Sequence, residues 1–326
     1  MLKTVRIKNF RGFDYFELQN LGRINLLVGK NNSGKTSVLE AIQLLTSGTN
    51  IEPLTEIMLN RGEFVWNDED SPQREIEICH LFRDRNLKDR NIVISGQKQI
   101  IQDNHQQIVD LELTASIHDQ SIYPHQYGEI PPYNQQIPAI PRKLLSIDFS
   151  CDREKVNQGY ILSDQYNLPF KKIYSTSEQS KVVFNNQFIL PNSLTIDRMI
   201  DLFNQVVLNP EEVILNEALQ IIEPKIERIA AVIDKRNGII PSGRGGFVVR
   251  LADSEQRISI GSLGDGIWRM LGLALSLASA KGGVLLVDEI DTGLHFTALT
   301  DMWKLIWETA KKLDVQVFAV LPDLRC

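Results

Sequence analysis

The run Gly29-Lys30-Asn31-Asn32-Ser33-Gly34-Lys35-Thr36, followed by Ser37, fits the pattern G-x-x-x-x-G-K-[ST]. Residues of these types at this spacing can bind the phosphates of a nucleoside triphosphate. Gly29 and Gly34 let the backbone curl, so that N–H groups from Asn31, Asn32, Ser33, Gly34, Lys35, Thr36 and Ser37 converge on one anion. Lys35 is placed to reach the β- and γ-phosphates, and the Thr36 hydroxyl to ligand Mg²⁺. Far along the chain, Val284-Leu285-Leu286-Val287 ends in the adjacent acids Asp288 and Glu289. Beside a phosphate loop, Asp288 would hold Mg²⁺ through water, and Glu289 would orient and deprotonate an attacking water. On their own the two acids also fit a solvated strand end. A third stretch, Gly264-Asp265-Gly266, opens an apolar helix with free N–H groups. It is either a second anion site or the glycine cap of a core helix. As a second site, it would sandwich ATP between two copies of the chain.

These groups need particular elements to hold them. Ile24 to Val28 reads as a short buried strand before the loop, and Ser37 to Thr46 as the helix after it. The apolar run Val284–Val287 predicts a strand at a sheet centre, and Met270 to Ala280 a helix of small apolar residues. At the N-terminus, Leu2–Phe10 alternates apolar and polar residues, Arg11-Gly12-Phe13 makes a turn, and Phe13–Leu18 returns as a hairpin.

Between these parts, Gly48 to Arg74 reads as a variable stretch. Its acidic run Asp68-Glu69-Asp70 is better taken as solvated than as a metal site. Glu75–Phe82, Asn91–Ile94 and Ile108–Ile117 predict strands of a meander. The Pro-rich segment from Tyr123 to Arg142 predicts a surface loop, with polyproline docking as the alternative. Leu144–Phe149 and Val182–Ile189 predict strands. Helices follow at Ser193–Val207, where Ile196, Met199, Ile200 and Phe203 recur at helical spacing, and at Glu211–Ile222. The type of Ile226–Ile233 stays open. Gly243-Arg244-Gly245-Gly246 leads into a strand at Phe247–Leu251 and reads as a hairpin loop rather than a nucleic-acid contact.

A chain of 326 residues with 43% hydrophobic and 23% charged residues has the composition of a globular protein. Its net charge of -6 does not mark a general nucleic-acid binder, although a local basic patch remains compatible. Cys79, Cys151 and Cys326 form no C-x-x-C pair, which suits a reducing cytoplasm. No apolar run reaches the roughly 18 residues of a membrane span. The N-terminus enters a strand pattern directly and does not read as a signal peptide.

Gly29 to Thr36, the Gly264-Asp265-Gly266 helix start, and Asp288-Glu289 followed by Ile290-Asp291-Thr292-Gly293-Leu294-His295 resemble the Walker A, signature, Walker B and D-loop motifs of the ABC-type ATPases. Ile7-Lys8-Asn9-Phe10-Arg11-Gly12-Phe13, with Ile24-Asn25, is similar to one branch, the RecF-like and OLD-family ATPases of DNA repair and phage defence. The resemblance covers the first 46 residues and roughly 246 to 320. It implies an α/β fold, an ABC-type P-loop NTPase head with a mixed central sheet, an antiparallel β-lobe and a helical arm. Within one ATPase domain over 1–326, the expected parts are 1–118 (Walker A and β-lobe), 119–192 (an inserted loop-rich segment), 193–245 (the arm) and 246–326 (signature and Walker B).

The resemblance further implies ATP and Mg²⁺ as cofactors and Glu289 and Lys35 as catalytic groups. Thr36 and Asp288 would be metal ligands, and Arg11 would lie near the nucleotide, with a plain turn residue as the alternative for Arg11. The expected assembly is a cytoplasmic homodimer, without membrane contact, that controls DNA through a nuclease partner in trans. A scaffold that binds ATP with little hydrolysis is the other reading. Two departures stand out. Gly264 falls where transporters and SMC proteins carry a serine. No histidine follows the strand expected at Val315–Val320, so slow hydrolysis is expected, and the Toprim segment of full OLD-type nucleases is not expected in this chain.

Overall fold

The computed structural model describes residues 1–67, 73–87, 91–102, 105–122, 140–152, 154–170, 184–191, 193–232, 246–252 and 256–321. The acidic run at 68–70, most of the Pro-rich segment, Gly243-Arg244-Gly245 and the residues after 321 lie outside them. The chain forms two compact units, Met1–Leu21 with Glu40–Val183, and Gly22–Leu39 with Phe184–Cys326.

The first unit is built on a six-stranded antiparallel sheet in the order β2-β1-β6-β7-β8-β9. Its strands are β1 (Leu2–Phe10), β2 (Phe13–Leu18), β6 (Ile92–Gln102), β7 (His105–Ile122), β8 (Ile140–Cys151) and β9 (Glu154–Ile161). The expected N-terminal hairpin is present, with Val5 opposite Leu18 and Phe10 opposite Phe13. The alternation of β1 works as the sequence suggests: Leu2, Val5, Ile7 and Phe10 are fully buried while Arg6 and Lys8 face solvent. A smaller sheet joins β4 (Phe64–Asn67), β5 (Gln73–Ile76) and β10 (Leu168–Pro169).

The variable stretch Gly48 to Arg74 contains helix α2 (Glu52–Asn60) and strand β4, and one expectation nearby is corrected. Pro53 sits in the first turn of α2, where its missing N–H costs nothing, and Leu54, Ile57 and Met58 bury one face. Glu75–Phe82 is a strand only as far as Ile76 and then a 3₁₀ turn at Ile78–Leu81. Ile76, Ile78, Leu81 and Phe82 are all buried, a spacing that a two-residue period cannot provide.

The second unit carries the phosphate loop. Its main sheet has the order β11-β15-β16-β3, from β11 (Asn186–Ile189), β15 (Val284–Val287), β16 (Gln316–Leu321) and β3 (Ile24–Val28). All three pairings are parallel, so the antiparallel strands of the protein gather in sheets of their own. The strand of unsettled type is β12 (Ile226–Ala231), which pairs with β13 (Phe247–Leu251) and, through it, β14 (Arg257–Ser259). Helix α1 (Lys35–Ser47) begins in this unit and continues past its boundary at Leu39.

The helical segment consists of α3 (Ile196–Val206) and α4 (Glu212–Gln220), and the two remaining helices are α5 (Asp265–Ser279) and α6 (Phe296–Lys312). The Thr195 side chain caps α3 by accepting from the Arg198 N–H at 3.4 Å. Ile196, Met199, Leu202, Phe203 and Val206 of α3 enter the same core as Leu271, Leu275 and Ala278 of α5. Full burial of each such large side chain stabilises the fold by about 1.5–3 kcal/mol. Phe247 joins the core edge-on to both Phe203 and Trp268, at centroid distances of 5.5 and 6.0 Å.

Candidate nucleotide site

The loop leaves the end of β3 and turns through left-handed backbone at Asn32 (φ 61°) and Gly34 (φ 89°). Ser33 N–H donates to the Lys30 carbonyl at 3.3 Å, and Val38 N–H donates to the Gly34 carbonyl at 3.0 Å, which begins the helical ladder. Asn31, Asn32 and Ser33 are exposed, Gly29, Gly34, Lys35 and Thr36 half-buried, and Ser37 buried. The Lys35 ammonium folds back on its own loop and donates to the carbonyls of Gly29 at 2.6 Å and Lys30 at 2.9 Å. An ammonium has three donors and no acceptor, and here it satisfies two of them on loop carbonyls, ready to exchange for stronger phosphate acceptors.

Strand β15 is buried along its whole length and delivers Asp288, itself only 8% exposed. Asp288 N–H donates to the Ile189 carbonyl at 2.8 Å and prolongs the β11–β15 pairing by one bond. The Thr36 hydroxyl donates to Asp288 Oδ2 at 2.7 Å, joining positions 252 residues apart. Burial pushes the Asp288 carboxyl above its ordinary range. The Thr36 hydrogen bond and the Lys35 charge oppose that rise, and the Glu289 charge adds to it.

A desolvated carboxylate beside a hydroxyl is a donor pair suited to a hard divalent cation. Among the described residues, no group of three or more His, Cys, Asp or Glu could form an all-protein metal cage. Mg²⁺ usually takes one or two protein oxygens and completes its shell with phosphates and water, so the Thr36–Asp288 pair could hold it.

Glu289 is exposed and has φ 48°, a left-handed conformation that costs a non-glycine residue on the order of 1–3 kcal/mol. Its carboxylate accepts from the Thr292 hydroxyl at 3.0 Å. The turn is held from behind by Arg269 of α5, 7% exposed. Arg269 Nη2 donates to the carbonyls of Asp288 at 3.0 Å and Glu289 at 2.9 Å, while Nη1 lies 3.5 Å from the Leu190 carbonyl. Burial pulls the guanidinium below its ordinary value, and the charges of Glu289, Asp288 and Asp291 oppose the shift. Each such charge-assisted bond contributes about 1.5–3 kcal/mol, enough to offset the strain at Glu289.

Helix α5 begins directly after Gly264, whose φ of 93° and ψ of 177° are open to glycine and strained for any other residue. Gly264 and Asp265 are exposed, so the helix start lies on the surface of the second unit. At Gly266 a Cβ would come within 3.4 Å of the Gly293 carbonyl, so the helix start packs against the turn that follows Glu289.

The second unit thus brings together Gly29 to Ser37, Asp288 and Glu289, and presents Gly264–Gly266 on its surface. Arg11 belongs to the first unit. Its guanidinium is paired in both directions there, with Glu63 at 2.8 and 3.1 Å and with Glu40 Oε2 at 2.6 Å from Nε. Arg61 Nε holds the other Glu40 oxygen at 2.6 Å. Within the first unit Arg11 is thus held between the carboxylates of Glu40 and Glu63. Glu40, Arg61, Glu63 and Arg269 carry no motif; each is recognised only through partners distant in sequence.

The family model of the AAA ATPase domain matches residues 1–320. An ATP/GTP phosphatase of Helicobacter pylori is 21% identical over 313 residues, which cover 92% of this chain and 78% of that protein. The DNA replication and repair protein RecF of Clostridioides difficile is 45% identical over 47 residues, 14% of this chain and 13% of that one. Among solved structures, the SMC head bound to the C-winged helix domain of ScpA aligns with a TM-score of 0.53 at 13% identity, over 99% of this chain and 90% of that one. At that identity the likeness speaks for the fold, that of an SMC-type head.

Proposed function

The chain belongs to the AAA ATPase domain family and is an ATPase, and from that premise we propose that it is a nucleotide-driven head that closes on a second copy and controls work on DNA. The Thr36–Asp288 contact at 2.7 Å carries this reading, because it joins the phosphate loop to the strand end that bears Glu289. In this scheme Lys35 leaves the Gly29 and Lys30 carbonyls for the β- and γ-phosphates. Thr36 and Asp288 hold Mg²⁺, which supplies charge neutralisation on the phosphates when bound. Glu289, exposed beside them, orients a water and takes its proton.

The exposed helix start at Gly264–Gly266 serves the γ-phosphate of a facing copy, so that one two-fold interface covers two nucleotides. The 47-residue likeness to a DNA repair protein supports DNA as the target; a nuclease supplied in trans is the executing partner in this proposal. Cys79 and Cys151 are free thiols, which supports a cytoplasmic setting. Among the described residues, no helix is long and apolar enough to cross a membrane, which leaves β-barrels unaddressed.

Phosphate release from ATP by the purified protein, with and without DNA, tests the proposal, with Lys35→Ala as its control. Lys35→Ala is expected to weaken ATP binding by about 10–150-fold, the loss of one or more charge-assisted bonds worth about 1.5–3 kcal/mol. Binding as tight as that of the wild type would remove the loop from the site. Binding without phosphate release by the wild type would make the protein a nucleotide-gated scaffold.

A further inference from the structure

Arg269 is the one charged side chain buried on α5, five positions after the glycine that opens the helix. Its planar fork reaches the ends of two adjacent parallel strands. The Leu190 carbonyl follows β11, and the Asp288 and Glu289 carbonyls follow β15. These carbonyls lie where ladder hydrogen bonding stops. The Glu289 carbonyl, turned by the left-handed φ, points at α5 and not along the sheet. A second contact links the same two elements, the close approach of Gly266 to the Gly293 carbonyl. The base-bearing turn is therefore tied to α5 at two places, one polar and one by packing.

We propose that Arg269 is a positioning residue that couples the exposed start of α5 to the backbone of Glu289. A ligand that engages Gly264–Gly266 shifts α5, and the guanidinium carries the shift to the carbonyl of the residue that activates water. The nucleotide would then be attacked only when the helix start is occupied. This rests on the reading of Glu289 as the base. Displacements of about 1 Å at such a group cost on the order of 10²-fold in rate. Lysine at 269 keeps the charge but, as a point donor on a flexible stem, cannot reproduce the fork.

The test compares Arg269→Lys, Arg269→Met and Glu289→Gln with the wild type. For Arg269→Lys, kcat is expected to fall by about 10²-fold while the Kd for ATP stays within roughly threefold. In nucleotide-free protein, amide exchange at Ile290 and Thr292, whose N–H groups bond the Val320 and Glu289 carbonyls, is expected to quicken by about tenfold or more. Arg269→Met removes the guanidinium donors to the Asp288 and Glu289 carbonyls and is expected to be worse in both measures; if it does not fold, Arg269→Lys carries the test. Unchanged exchange at these two amides, or unchanged kcat, overturns the proposal. So does a loss of ATP affinity in step with kcat, which marks a merely structural arginine. If the wild type releases phosphate no faster than Glu289→Gln, the reading of the base fails first, and the coupling falls with it.

Discussion

Replacing Arg11 by methionine is expected to destabilise the first unit and leave ATP binding intact. The side chains involved are nearly closed to solvent, 7% exposed for Arg11, 3% for Glu40 and 14% for Glu63. Methionine fills much of the volume but removes every donor. Glu40 keeps its pairing with Arg61 at 2.6 Å, whereas Glu63 loses both bonds to the guanidinium. Stripping one partner from a buried ion pair costs about 3–5 kcal/mol, most of it from the carboxylate left behind. For a unit of this size each kcal/mol corresponds to roughly 2–4 °C, so the melting temperature should fall by about 6–20 °C. Circular dichroism melts with denaturant titrations measure that change, and calorimetric titration with ATP measures the site. Glu63→Gln removes the charge but keeps an acceptor, and should lose less, about 1–3 kcal/mol. A melting temperature within about 2 °C of wild type, combined with a tenfold loss of ATP affinity, would refute the structural assignment. It would return Arg11 to the nucleotide.

Glu289→Gln should bind ATP as the wild type does and lose turnover, since the amide is nearly isosteric but cannot take a proton from water. Phosphate release at an undiminished rate would disqualify it as the base. Asp265→Arg, exposed at the start of α5, places a long cation at the surface assigned to the second copy without touching the loop. In the Glu289→Gln background, light scattering should show ATP-dependent dimers that ADP does not support and that Asp265→Arg abolishes. A dimer that survives the change, or a mass that ignores nucleotide, would point to a head that works alone.

The loop, the position of the strand before it and the acids after β15 were legible because local pattern alone determines them, but the expected burial of that strand was not borne out, since Leu26 and Val28 are exposed. Glycines, a lysine and a hydroxyl at fixed spacing need no distant partner to be recognised. Burial of Val284–Val287 follows from an unbroken apolar run. Helix α2 was also written in the sequence, as Pro53 followed by Leu54, Ile57 and Met58, but its polar flanks masked a stretch of only nine residues. Strand β9 carries an alternation of Val156, Gln158 and Tyr160 too polar to stand out, and it is fixed by pairing with β8. Arg269 and the Arg11–Glu40–Glu63–Arg61 network could not be read in advance. Their partners lie between 19 and 79 residues away for Arg269 and 52 away for Arg11 and Glu63, and only the folded backbone brings the groups together.

The register of the parallel sheet has a consequence for biosynthesis. Strand β3, which ends in the phosphate loop, is an edge strand that among the described residues pairs only with β16, Ile24 opposite Val317 and Val28 opposite Leu321. Arg23 carries the same join: its backbone carbonyl accepts from Val317 N–H at 2.7 Å, and its guanidinium donates to the Val315 carbonyl. On the ribosome, β3 therefore emerges with its ladder groups open and waits for a strand made roughly 290 residues later, about 15–60 s at ordinary elongation rates. The antiparallel sheet of the first unit has nearer partners and can close during that interval. The phosphate loop gains its fixed support only after β16 has emerged, so nascent chains should not grip nucleotide before they can also present Asp288 and Glu289 to it.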